Sequence, residues 1–96
     1  MYTIVIKPNA IDMTKDAYQW YEKQQLGLGN LFMRELDSCY DKLEMWPASY
    51  TKIKKNFRHI LLKKFPYVII YEIINNDVVV YAVFHTSRNP RKKFQK

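Results

Sequence analysis

His85 and Arg88 stand three residues apart in AVFHTSRNP (82–90), and Arg58 and His59 are adjacent in NFRHIL (56–61). These are residue types that phosphate chemistry uses. Histidine gives or takes a proton near neutral pH, and the planar fork of arginine matches two phosphate oxygens at once. RNA is cut without a metal when a base activates the ribose 2′-hydroxyl and cations stabilise the charge that builds on phosphorus. His85, Arg88 and Arg58 form the candidate catalytic set for such a reaction, with His59 beside them. Lys52 and Lys54 alternate in TKIKK (51–55), a spacing that puts both on one face of a strand, where they could clamp a backbone. Lys63, Lys64 and Arg91 add further candidate contacts to a target or a nucleic acid.

The same residues have structural readings. His85 follows Val83 by two positions and Tyr81 by four, which places all three on one strand face, where the imidazole can simply close the core. Arg88 can anchor the chain end to a carbonyl or carboxylate. A row of lysines on a strand is also how an exposed sheet edge avoids pairing with another chain.

Other chemistries find no support. The chain has two glycines, Gly27 and Gly29, too few for a glycine-rich phosphate cradle. Its single cysteine, Cys39, excludes an intrachain disulfide and a cysteine-built zinc site. No motif adds a carboxylate to the two histidines, so neither a metal nor another cofactor is expected. The start, MYTIVIKPNA, lacks the basic and long apolar regions of a signal peptide, and no run is apolar and long enough to cross a membrane. A cytoplasmic protein is the expectation.

Charge divides the chain. Residues 1–50 carry five Lys/Arg against seven Asp/Glu, whereas residues 51–96 carry eleven against two. A basic surplus gathered in one half points to a polyanionic partner, either a nucleic acid or an acidic protein segment.

Some framework must position these groups. YTIVIK (2–7) is β-branched and aromatic and predicts a strand, broken by PNA. From about Asp12 the apolar period becomes helical through Met13, Ala17 and Trp20 or Tyr21, with Gly27 as the expected C-cap. From about Asn30, the stripe Phe32, Leu36, Cys39, Leu43, Trp46 predicts a second amphipathic helix, ended by Pro47. TKIKKNFRHILLKKF (51–65) predicts two strands or one bent strand. YVIIYEII (67–74) is apolar on both faces and reads as a central strand. NND (75–77) predicts a hairpin turn, VVVYAVFHTS (78–87) the returning strand, and RNPRKKFQK (88–96) a basic tail. The expected architecture is α+β in one domain, 1–96: an N-terminal strand and a helical hairpin packed on one face of a mostly antiparallel sheet of four to five strands. The other sheet face is left for solvent or for function.

Three segments together, WYEKQQLGLGNLF (20–32), FRHILLKKFPYVIIYEI (57–73) and VYAVFHTSRNP (80–90), make the chain resemble the ParE branch of the RelE/ParE superfamily, the toxins of bacterial type II toxin–antitoxin modules. The resemblance implies the same fold. It also implies a partner, a cognate antitoxin whose acidic, flexible segment wraps the toxin and folds on binding. It implies one of two activities. ParE-like members inhibit DNA gyrase, with no catalysis of their own. RelE-like members are ribosome-dependent mRNA endonucleases with a basic cluster on the sheet, to which Arg58, Lys63, Lys64, His85 and Arg88 would correspond. The FPY and RNP segments match ParE, and beyond Pro90 the only aromatic is Phe94. Gyrase inhibition is therefore the expectation, mRNA cleavage the alternative, and a non-toxic remnant that binds only its antitoxin the third possibility.

Overall fold

The structure is a computed structural model and describes residues 1–87. Strand β1 (Thr3–Ile6) leads into helix α1 (Pro8–Gln24) and helix α2 (Leu28–Met45). A 3-10 turn at Pro47–Ser49 follows, then strands β2 (Lys52–Lys54), β3 (Phe57–Leu61), β4 (Tyr67–Ile74) and β5 (Asp77–His85). The sheet order is β1-β5-β4-β3-β2. β1 runs parallel to β5, and every other pair is antiparallel. This is the expected α+β layout.

The helix hairpin differs from expectation at its ends. α1 starts at Pro8, one turn earlier than Asp12. Proline at the first helical position gives up a donor that has no acceptor there, and its fixed φ suits the first turn, so PNA opens the helix instead of separating it from the strand. Gly27 does not cap α1. That helix ends at Gln24, with the Gln25 N–H on the Tyr21 carbonyl, and Gly27, at φ 90°, is the N-cap of α2. The carboxylate of Glu22 replaces a side-chain cap. It accepts the N–H groups of Gly27 (2.9 Å) and Gly29 (3.0 Å), pairing two otherwise unsatisfied donors with a charge at the positive end of α2.

Both helices cover one face of the sheet. Ala10, Ala17 and Tyr21 of α1 and Phe32, Leu36, Cys39 and Leu43 of α2 join Ile60, Tyr67, Ile69, Tyr71, Val78, Val80 and Val83 in the main core. The expected apolar stripe of α2 is thus its buried face, except that Trp46 falls beyond the helix end and is 58% exposed. Tyr71 is fully buried and donates its hydroxyl to the Pro47 carbonyl at 2.6 Å, which ties the segment after α2 to the centre of the sheet.

The opposite face carries a second buried cluster of Phe57, Val68, Ile70, Val79, Tyr81, Ala82 and Phe84, bordered by Met13 and Ile53. β5 is buried along almost its whole length because its residues divide between the two clusters, and a β-bulge sets where the division falls. Ile70 pairs with Ala82 but Tyr71 pairs with Val80, so Tyr81 is the extra residue. The bulge sends Tyr81 to the second cluster while Val80 and Val83 stay under the helices. The expected hairpin turn is present: Ile74 pairs with Asp77, with Asn75 at φ 56° between them, a left-handed conformation that asparagine tolerates.

Candidate functional site

His85 ends β5 on the helix-covered face. It pairs with Tyr67, and the two rings meet edge-on at 5.4 Å. Val83 shares this face as expected, but Tyr81 does not, because the bulge lies between them. The Ser87 N–H donates to His85 Nδ1 at 3.2 Å, and Ser87 Oγ lies 2.9 Å from the same nitrogen. With Nδ1 accepting, the neutral ring carries its proton on Nε2. Trp20, Tyr21, Tyr67, His85 and Ser87 line a cavity of about 260 Å³. The imidazole therefore sits among aromatic rings, with a hydroxyl as its polar neighbour.

Arg58 has a different task. Its Nη1 donates to the carbonyls of Tyr50 (2.6 Å) and Ala48 (3.2 Å), so the guanidinium holds the 3-10 segment against β3. Arg58 pairs with Tyr71 of β4, whereas His85 pairs with Tyr67, four residues further along that strand and on its other side. At about 3.3 Å per residue the two are separated by roughly 13 Å along the strand direction alone. The structure does not bring this part of the candidate set together. His59 pairs with Ile70 of the second cluster and so lies on the opposite face from His85. Among the described residues no group of three His, Cys, Asp or Glu side chains gathers as a metal site would. Arg88 and Arg91 lie outside the described residues.

Lys52 and Lys54 are exposed on edge strand β2, but a register shift separates them: Lys52 pairs with Arg58 and Lys54 with its neighbour Phe57. The regular alternation that would put both on one face is broken there, and Ile53 between them packs against the second cluster. Lys63 and Lys64 lie in the loop between β3 and β4. Their backbone N–H groups donate to the Glu35 carboxylate of α2, the Lys64 N–H at 3.0 Å, which latches the loop to the helix. Both lysines line a groove of about 530 Å³, together with Leu28, Leu31, Arg34, Glu35 and Ser38 of α2 and Phe65 of the loop. Sequence reasoning missed this groove. The available signal was Leu31, an exposed apolar residue one position off the α2 core stripe.

On the second cluster, Tyr81 donates its hydroxyl to Glu72 Oε1 at 2.8 Å and meets Phe57 edge-on. Burial, reinforced by this carboxylate, pushes the Tyr81 phenol up to about 12. Burial also raises Tyr40 and Tyr71 above the usual tyrosine range. A phenol that loses its proton more readily in the unfolded chain supports folding fully below pH 10, and that support is lost as pH rises toward the folded-state value. The contribution of these phenols to stability should therefore be constant well below pH 10 and fall by up to about 1.4 kcal/mol per pH unit for each between pH 10 and 12. Tyrosinate absorbance and circular dichroism followed together should show these phenols ionising only as the fold is lost. Their ionisation in the intact fold near pH 10 would refute this.

The architecture described here is that of a known toxin family. A family described as the ParE toxin of the type II toxin–antitoxin system, parDE, matches residues 4–90. The chain belongs to this family. Its fold is similar to that of a solved chain from the chromosomal ParDE toxin–antitoxin system of P. aeruginosa, at TM-score 0.80 and 9% identity, covering 91% of this chain and 98% of that one. At that identity the likeness is one of fold. A search of curated proteins found no match. No helix among the described residues is long and apolar enough to cross a membrane.

Proposed function

We propose that the chain is a cytoplasmic toxin that inhibits DNA gyrase by binding it, with no catalysis of its own, and that an acidic antitoxin neutralises it. One observation favours binding over RNA cleavage: Arg58, the described cation proposed to stabilise a phosphate transition state, spends its guanidinium on the Ala48 and Tyr50 carbonyls, far from His85. A transition-state cation has to reach the reacting phosphate, and this one is committed to the fold. Membership of the ParE toxin family supports the same reading. The surplus of 16 Lys/Arg over 9 Asp/Glu suits an acidic neutralising partner.

Induced expression tests the proposal. Growth should stop with DNA breakage and induction of the DNA-damage response, while mRNA stays intact, and His85→Ala should arrest growth as wild type does. Rapid mRNA loss with intact DNA, abolished by His85→Ala, would overturn it in favour of an endonuclease. Normal growth of a folded, expressed chain would overturn it in favour of a remnant that only binds its antitoxin.

A further inference from the structure

We propose that the cavity beside His85 is a binding site for an unpaired purine base, carried either by a free nucleotide or by a single strand of nucleic acid. The site goes beyond gyrase inhibition and does not depend on it. Its wall is a run of four rings that touch in series. Trp20 meets Tyr21 edge-on at 5.1 Å, Tyr21 lies 5.9 Å from Tyr67, and Tyr67 meets His85 edge-on at 5.4 Å. α1 supplies the first two rings, and the start of β4 and the end of β5 supply the others. Tyr21 and Tyr67 are buried, so the middle of the wall is fixed, whereas Trp20 at its end is 52% exposed. An indole left half in water beside a cavity presents a large flat face for a guest ring to cover.

The polar groups narrow the guest to a heterocycle. The Ser87 N–H can only donate, so His85 Nδ1 accepts at 3.2 Å and the neutral ring keeps its proton on Nε2. The cavity thus offers one ring N–H, with the Ser87 hydroxyl beside it. A purine carries ring nitrogens that accept such a donor, and its face stacks on an aromatic side chain. A phenyl or aliphatic guest would leave the N–H unpaired. Among the described residues no Asp or Glu lines the cavity, so a cationic guest would find rings without a counter-charge, in a chain of net charge +7. A nucleotide base brings a phosphate with it, and the residue joined to Ser87 in the sequence is Arg88.

Size points the same way. At about 260 Å³ the cavity lies just below the range of roughly 300–1,000 Å³ for clefts that enclose a whole ligand, which suits one ring system with its sugar and phosphate outside. The cavities along α1 carry a single aromatic ring, Tyr18, and the groove beside α2 carries Phe65 alone. The site binds and does not cleave. Arg58 is held on the Ala48 and Tyr50 carbonyls and His59 lies on the other sheet face, so neither joins His85 at a base seated here.

The test uses the full-length chain. Trp46 is exposed and outside the cavity lining, so Trp46→Phe leaves Trp20 as the single indole. AMP or GMP should quench its fluorescence saturably, and calorimetry on wild type should give the same dissociation constant. Ribose 5-phosphate, which has the phosphate and no base, should not bind measurably. Trp20→Leu keeps apolar bulk and loses the stacking face, and His85→Ala removes the donor; each should weaken nucleotide binding at least tenfold. Trp20→Leu changes a half-exposed side chain and should melt like wild type. A short single-stranded oligoadenylate identifies the source. Binding at least tenfold tighter than AMP, and weakened by Trp20→Leu, assigns the site to a strand, and anything less assigns it to a free nucleotide. Four results would each overturn the proposal: no saturable binding of AMP, GMP or the strand; ribose 5-phosphate binding as tightly as AMP, which reduces the effect to charge; N-acetyltyrosinamide binding as tightly as AMP, which makes the cavity a socket for a protein side chain; or unchanged nucleotide binding in folded Trp20→Leu.

Discussion

Phe32→Ala should destabilise the fold by about 3–5 kcal/mol, the range for emptying a large aromatic site in a closed core. Phe32 has no exposed surface. It stacks on Tyr21 at 5.4 Å and meets Phe65 and Tyr67 edge-on at 5.4 and 5.0 Å. Removing the ring strands three aromatic neighbours drawn from α1, the β3–β4 loop and β4, and none of them can fill the void without leaving its other contacts. Domains of this size are stable by about 5–15 kcal/mol, so the loss would remove a substantial part of that margin. In denaturant the midpoint should fall with little change in slope. A loss below about 1 kcal/mol would mean that the aromatic cluster collapses freely and does not clamp the hairpin to the sheet.

Gly29→Ala should destabilise the chain by about 1–3 kcal/mol, the usual cost of overpacking. The sign is the informative part. Gly29 is helical, and alanine at an ordinary helical position gains up to about 1 kcal/mol over glycine. Here an added Cβ would lie 2.8 Å from the Tyr18 carbonyl oxygen and 2.9 Å from both Glu22 Oε1 and Tyr18 Cδ1. The carbonyl belongs to the backbone of α1 and cannot rotate away, so the helices must part. That movement would also strain the Glu22 cap on α2. Thermal unfolding decides it: a raised melting temperature for Gly29→Ala would show that the helices do not approach this closely.

Much of the fold is legible in the chain because local pattern and burial agree. The stripe Phe32, Leu36, Cys39, Leu43 is the buried face of α2, and YVIIYEII is a central strand between β3 and β5. The errors fall where one residue type serves two local roles. Proline breaks a strand and also starts a helix, and at Pro8 it does the second. Glycine with positive φ ends helices most often, yet Gly27 begins one because a carboxylate five residues earlier reaches forward to its N–H. The bulge at Tyr81 reverses the face of that residue relative to His85, and period-two counting cannot see it, because nothing in VVVYAVFH marks where the extra residue falls.

The candidate site was less legible, for a related reason. Sequence reasoning ranks Arg58 by what a guanidinium can do and has no access to what lies within its reach. The carbonyls of Ala48 and Tyr50 are eight to ten residues away in the chain, and only the pairing of β2 with β3 brings them to it. By itself the sequence determined the elements, the α+β class, the basic second half and the likeness to ParE toxins, all of which depend on composition and on spacing within a few residues. The tertiary structure alone decided that Arg58 is tied to backbone, that His85 and His59 face opposite sides of the sheet, and that Leu31, Arg34 and Lys63 border one groove. These relations join residues about ten to thirty positions apart, and their distances depend on strand order, register and one bulge, quantities that emerge only when the whole chain packs.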